Sequence, residues 1–325
     1  MDFGLPFVLM VVSMIGYFKI ADHFDIIDRP NERSSHSIPT IRGGGVVFLV
    51  AALLFFLWNG FAFPYLMAAL LLSGTVSFID DLVTVNNRLK FGIHVLSVVL
   101  LFYETGLIFR VPSLFLIIIA IVAIGIINAY NFMDGINGMT GMYSLAVLLP
   151  LLLTEQNLLV RNLELYFVMA LLVFNFFNSR KKARCFAGDV GSISIAILIV
   201  FLLMVRIQET QRFEYIGLLL VYGIDTVYTI LQRLWGRENI FKAHRKHLYQ
   251  YLCNEKKWPH VGVSFFYAGL QLLVGLGIVY GYIDLMWLGL LLGVFSGLYW
   301  WGKACLRQEI NSHKGTKTRR IIPSE

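Results

Sequence analysis

Apolar blocks of about 17–25 residues recur along this chain, and each is long enough to cross a bilayer core of about 30 Å. No other feature constrains the fold as strongly. A backbone in lipid must pair its own N–H and C=O groups, and a helix does so locally. Candidate spans fall at about 3–20, 44–60, 64–80, 91–108, 112–130, 138–154, 163–178, 192–206, 214–233, 261–282 and 285–303. Only 14% of the residues are charged and 58% are hydrophobic, against about 25% charge in a soluble domain. The expected fold is an all-α polytopic bundle of about 10–11 transmembrane helices. It forms one membrane domain over residues 1–305, followed by a basic tail over 306–325.

The first block starts with Asp2 and is followed by Lys19, the reverse of a cleaved signal peptide, so it reads as a retained helix. Cys185, Cys253 and Cys305 are odd in number and lack metal-type spacing; they read as unpaired thiols. The net charge of +7 reports orientation and attraction to anionic lipid rather than nucleic acid. Of the 27 basic residues, only Arg110, Arg161, Arg206 and Arg212 fall between spans on one side. The rest lie on the other side, which is therefore expected to be cytoplasmic. The expected partner of the whole chain is the bilayer, and a homodimer is compatible with it.

Five polar segments lie on that basic side. The first, Asp25 to Gly45, carries Arg29, Arg33, His36 and Arg42, cations able to meet phosphate. Its Gly43, Gly44 and Gly45 either let an anion approach bare backbone N–H groups or only allow close helix packing. The second is Asp80-Asp81, closing the third span. Two adjacent carboxylates at a helix C-terminus repel each other and oppose the helix dipole, which a cation or a proton would relieve. A solvated pair at the interface is the plainer alternative. Arg88 and Lys90 follow and could hold phosphate. In the third segment Asn128, Asn131 and Asp134 step by three along one helix face, before a turn with Gly135, Asn137, Gly138 and Gly141. Such oxygen ligands suit Mg2+, which takes a few carboxylates plus substrate phosphate oxygens. The fourth places Asp189 between Gly188 and Gly191, as a helix cap or as a ligand. The fifth holds His244, Arg245, Lys246 and His247. With the histidines on one helix face, it suits a pyrophosphate, or a transition metal if further ligands completed the site. Asp225 lies about two turns inside the ninth span and needs a partner, Arg233 or another helix, unless it acts in catalysis.

In this order, the segments D-x-P-N-x-R-x-x-H-x-x-P-T-x-R-G-G-G, F-I-D-D-L, N-A-Y-N-F-M-D-G-I-N-G, G-D-V-G-S and H-R-x-H-L-Y-Q resemble the polyprenyl-phosphate N-acetylhexosamine-1-phosphate transferase superfamily. The last motif is similar to the O-antigen-initiating branch. The resemblance spans about Asp28 to Gln250. It implies a bacterial inner-membrane enzyme with a cytosolic active site, Mg2+ or Mn2+, a UDP-N-acetylhexosamine donor and undecaprenyl phosphate as acceptor. It makes Asp189 the leading metal ligand, with Asn131 in support. Asp80 and Asp81 become carboxylates near the attacking phosphate, and Asp134 with Gly135 part of the nucleotide-sugar site. His244 and His247 become phosphate contacts, with Arg245 beside them. Two positions depart from the pattern: Asn137, where Asp is frequent, and His94, where Gln is frequent. The rival class is a membrane transporter or lipid flippase. Such a protein would carry its polar groups near the midplane rather than at one face.

Overall fold

The computed structural model describes residues 3–30, 38–239 and 244–319, with side chains to 305. His36 and Arg33 lie outside the described residues. The helices are α1 (Gly4–His23), α2 (Val46–Trp58), α3 (Pro64–Leu82), α4 (Asn87–Glu104), α5 (Leu107–Arg110), α6 (Ser113–Met133) and α7 (Met139–Leu152). They continue with α8 (Leu158–Asn178), α9 (Gly188–Thr210), α10 (Leu220–Trp235), α11 (Leu248–Asn254), α12 (His260–Val279) and α13 (Leu285–Arg319). A 3-10 turn, Phe213–Leu219, leads into α10. The backbone of α13 thus carries the basic segment after 305 onward as helix as far as Arg319. The two-residue strands β1 (Ile27–Asp28) and β2 (Thr40–Ile41) pair antiparallel, Ile27 opposite Ile41. They make the one sheet among the described residues.

Ten of the eleven expected spans are apolar helices of two length classes, whereas the one expected at 91–108 is divided into α4 and α5 at Thr105–Gly106, and α4 is not among the helices apolar enough to cross. Eight stretches are long and apolar enough to cross a membrane. Helices α2 and α7 have only 13 and 14 residues. At 1.5 Å per residue each covers about 20 Å, short of the bilayer core. Both begin directly after polar residues, Arg42–Gly45 and Asp134–Gly138. Irregular backbone at membrane depth is tolerated only where it lines a recess or is buried in protein.

Helix α9 is the central pillar. Its apolar window is 89% buried, against 17% for α6 and 11% for α13. All three are apolar all round, but only α9 has protein on every side. The exposed faces of α6 and α13 carry Ile117, Ile121, Met286 and Leu290, as a lipid-facing surface requires. Exposed Trp235, Trp258 and Trp301 ring the end that holds the polar segments, and Trp58, Tyr65, Tyr280, Tyr282 and Trp287 ring the other. Amphipathic rings of this kind settle at the two interfaces.

The glycines before α2 serve packing. Gly44 and Gly45 donate their N–H groups to Phe186 O (2.8 Å) and Ala187 O (3.0 Å). A side chain on Gly45 would collide with the backbone of Gly191. The anion reading of Gly44 and Gly45 is therefore corrected, because neighbouring carbonyls already take those donors. Gly45→Ala is expected to lower stability by about 1–3 kcal/mol, the usual cost of overpacking. Gly125→Ala, in open space on α6, is expected to leave it unchanged or slightly raised. Melting temperatures of the two purified variants in one detergent check this.

Candidate active site

The site is assembled around the end of α3. Asp81, its side chain 0% exposed, sits at the C-terminal end of this helix, where the dipole opposes a negative charge. Its neighbours offset that cost. Oδ1 and Oδ2 accept hydrogen bonds from Asp189 N (3.0 Å) and Val190 N (3.3 Å), the first turn of α9. Arg42 Nε lies 2.8 Å from Oδ1. The cation foreseen for the Asp80-Asp81 pair is thus supplied by the chain. Lys90 Nζ reaches Asp80 Oδ2 at 2.6 Å, and Val85 N donates to Asp80 Oδ1 at 2.7 Å. Neither aspartate is a freely solvated group.

Three devices hold these partners. Arg42 follows β2 directly; its N–H donates to Ile26 O (3.1 Å) and its carbonyl accepts from Tyr17 Oη (2.5 Å). Residue 41 also bridges to Cys185, where Phe186 N donates to Ile41 O at 2.8 Å. Gly188 has φ +71, and a side chain there would meet the Asp81 carboxylate, so the turn into α9 needs glycine twice over.

Asp189 opens α9 beside this pair. Its side chain lies near those of Asn131 and Asp80. Arg42 Nη2 is 3.9 Å from its Oδ1. Asp134 ends α6, its Oδ1 accepting from Thr140 Oγ1 at 2.6 Å. Burial raises its pKa to about 6 and Asp189 adds to the rise, while the Thr140 bond and Arg42 oppose it. Four carboxylates therefore face two cations, Arg42 and Lys90. The hard-oxygen donor set of Asp189, Asp80 and Asn131 fits a divalent ion of the Mg2+ type. No group of three or more His, Cys, Asp or Glu capable of holding a metal occurs among the described residues.

Other expected residues lie elsewhere or are engaged. Arg29 pairs with Asp25 at 2.7 Å on the exposed surface, away from the carboxylates. Asn128 turns back to its own helix, donating to Ile124 O at 2.8 Å. Asn137 is buried and donates to Arg180 O at 2.8 Å, which commits its amide to joining two loops. Gly135 lies against Tyr249, whose hydroxyl donates to Phe132 O at 3.0 Å. His244 and His247 do not share a helix face, because residues 244–246 are not helical and His247 is the N-cap of α11. Their rings still meet, with centroids 4.9 Å apart. Lys246, beside Arg245, is tied to Glu238. Arg233 reaches Glu238 at 3.4 Å, so the partner of Asp225 lies elsewhere.

Sequence reasoning missed Asn178. Its Oδ1 accepts from Gly138 N (2.7 Å) and its Nδ2 donates to Cys185 O (2.8 Å), so one amide spans the third and fourth segments. An Asn at the end of an apolar helix carried no signal of this. A cavity of about 640 Å³ opens at the opposite end of the bundle, beside Glu155, Gln156, Arg206 and Tyr215. None of the five segments reaches it.

Comparison with known proteins bears on the centre of this arrangement. Residues 63–207 match the model of glycosyl transferase family 4. That model describes the polyprenyl-phosphate sugar-1-phosphate transferases, and the match covers a little under half of the chain. It holds Asp80, Asp81, Lys90, Asn131, Asp134 and Asp189, the carboxylate cluster except for Arg42. The first and fifth segments lie outside the match. A search of curated proteins finds no match to the chain.

Two outcomes are expected. Asp81→Asn leaves Arg42 without its buried partner and weakens the cap on α9. It is expected to lower the melting temperature more than Asp80→Asn, whose partner Lys90 reaches solvent. The second concerns pH. Burial, then His247, Arg233 and Lys246, depress His244 to about 4 from 6.5. Between those values the unfolded chain binds the proton that the folded ring refuses, so stability falls as pH drops through the window. Asp134 has the opposite sign. Its folded pKa of about 6 lies above the ordinary 3.8, so stability falls as pH rises through that range. Melting temperature against pH for His244→Gln and Asp134→Asn, each subtracted from the parent, is expected to give slopes of opposite sign.

Proposed function

We propose that this protein transfers a sugar-1-phosphate, from UDP-N-acetylhexosamine or a related deoxy amino sugar donor, to undecaprenyl phosphate. UMP is released, and the lipid-pyrophosphate-linked sugar begins a cell-surface polysaccharide of the O-antigen or capsule type. The observation that carries the reading is the convergence of Asp80, Asp189, Asn131 and Asp134 with Arg42 and Lys90 at one end of a membrane bundle. A site of that kind suits a substrate pair with water-soluble polyphosphate on one partner and a lipid chain on the other. The excess of basic residues at that end supports a cytosolic active site in a bacterial inner membrane.

The reaction forms a bond from an oxygen of the lipid phosphate to the sugar-bearing β-phosphorus. It breaks the bond from that phosphorus to the bridging oxygen, whose electron pair leaves with UMP. A phosphate monoester has a second pKa near ~6, so the nucleophile is already largely ionised at neutral pH. No strong general base is needed, and catalysis rests on alignment and charge neutralisation. Asp189 with Asn131 and Asp80 would hold Mg2+ or Mn2+, which when bound offsets the charge of the phosphates. Arg42 and Lys90 neutralise Asp81 and Asp80, so the site does not repel an anionic substrate. Asp81, both oxygens occupied and its side chain buried, is suited to holding the site together rather than to accepting a phosphoryl group. That favours direct attack over a covalent aspartyl-phosphate. His244, held neutral by its surroundings, can offer a hydrogen bond to phosphate.

The test is release of UMP by purified protein given UDP-N-acetylhexosamines, undecaprenyl phosphate and Mg2+, with the lipid product weighed by mass spectrometry. Asp189→Asn is expected to lower the rate about 10²-fold or more, the scale for loss of a charge-stabilising group. Undiminished, Mg2+-dependent release by that variant would remove Asp189 from the metal site. A parent protein that binds lipid-linked sugar but makes no product would favour the flippase reading.

A further inference from the structure

Asp225 is fully buried in α10 and lies outside the carboxylate cluster. Its contacts converge on α11. Oδ1 accepts from Leu248 N at 2.9 Å and Oδ2 from Tyr249 N at 3.4 Å, the first turn of that helix. Tyr267 Oη donates to Oδ2 at 2.8 Å, and Thr229 Oγ1 lies 3.3 Å from Oδ1. His247 Nδ1 lies 3.4 Å from the same Oδ1. Behind it, the buried ammonium of Lys303 reaches Thr229 Oγ1 at 3.2 Å and also Tyr299 Oη. The carboxylate therefore has a cation on one side and an imidazole on the other.

A carboxylate 3.4 Å from Nδ1 favours a proton on that nitrogen over a bare lone pair, in the neutral ring or the charged one. Both ring nitrogens are buried and neither makes a hydrogen bond, Nδ1 facing the carboxylate at 3.4 Å and Nε2 facing no protein partner. The ring cannot easily turn away, since it stacks near Tyr249 with centroids 5.7 Å apart and touches His244. Tyr249 in turn closes on Gly135 and Phe132 in the third segment. One buried carboxylate thus fixes both the start of α11 and the ring that caps it, next to the turn that holds Asp134.

We infer that Asp225 is a positioning residue for the transfer reaction, which fixes the tautomer and direction of His247 so that Nε2 faces a phosphate oxygen of the substrate. The inference rests on the proposed transferase reading for its kinetic consequence, though not for its geometry. A plain structural ion pair between Asp225 and Lys303 is the competing account. It accounts for burial and stability but requires no particular state of His247.

The direct test is the nitrogen NMR spectrum of the full chain labelled with [15N]histidine, with His247 assigned by its loss in His247→Gln. The expected result is a protonated Nδ1 in the parent protein. A bare Nδ1 with the proton on Nε2 would overturn the inference, and this measurement needs no variant of Asp225 to fold. In Asp225→Asn the two tautomers are expected to mix; in Lys303→Met the Nδ1 proton is expected to stay while the melting temperature falls. The second measurement is a double-mutant cycle on UMP release. Asp225→Asn and His247→Gln are each expected to lower kcat about 10–100-fold, the range for partners that orient a functional histidine. The double variant is expected to be no slower than the worse single one, since the two residues act as a unit. Independent, multiplying losses would favour the structural account. A parent protein with the expected tautomer but no UMP release would refute the transferase reading and leave the geometry standing.

Discussion

The arrangement depends on one buried carboxylate. Asp81 ends α3 where the helix dipole repels it, and is held there by the N-terminus of α9 and the guanidinium of Arg42. Opposite helix ends meet across it, so that the backbone partial charges of α3 and α9 are both satisfied. Arg42 brings the strand pair and the start of α2 to the same point. Because α9 is the central pillar, fixing its first turn also fixes Asp189 beside Asn131. An apolar residue at 81 would spare the desolvation of the carboxylate but leave the α9 amides and Arg42 unpaired, which in the interior costs more.

Asp225 repeats the device on a smaller scale, capping α11 as Asp81 caps α9. In each case the capped helix begins with a polar residue of the candidate site or follows one, Asp189 and His247. The two caps share a physical reason. Loops at membrane depth cannot rely on water to satisfy their backbone, so a buried carboxylate that accepts several N–H groups stabilises a short loop and sets its exit direction together.

Much of this was legible in the sequence because a membrane leaves few solutions. The apolar blocks located each spanning helix, and the sidedness of the charges put Asp80, Asp134 and Asp189 at one end before any contact was known. Chemistry-bearing residues within motifs were legible as types, but their tasks were not. Asp80 and Asp81 are adjacent and look alike; only the meeting of α3 with α9 distinguishes an occupied, buried carboxylate from the more open one beside it. Spacing placed His244 and His247 on a helix, whereas the cap supplied by Asp225 begins the helix after them. The glycines at 43–45 were ambiguous because close packing and anion approach need the same missing side chain, and only the carbonyls of Phe186 and Ala187 decide between them for Gly44 and Gly45. Asn178 and Lys303 had no local signal, since their partners are distant in the chain.

The central claim is that the second, third and fourth polar segments surround a single divalent ion at one end of the bundle. Cleavage of the purified full chain by Fe2+ in place of Mg2+, with ascorbate and peroxide, tests this directly, since radicals formed at the ion cut the nearest backbone. The account predicts cuts near Asp80, Asn131 and Asp189 together, all suppressed by excess Mg2+. Cuts at only one of these segments, or around Glu155 and Arg206 at the opposite end, would contradict it.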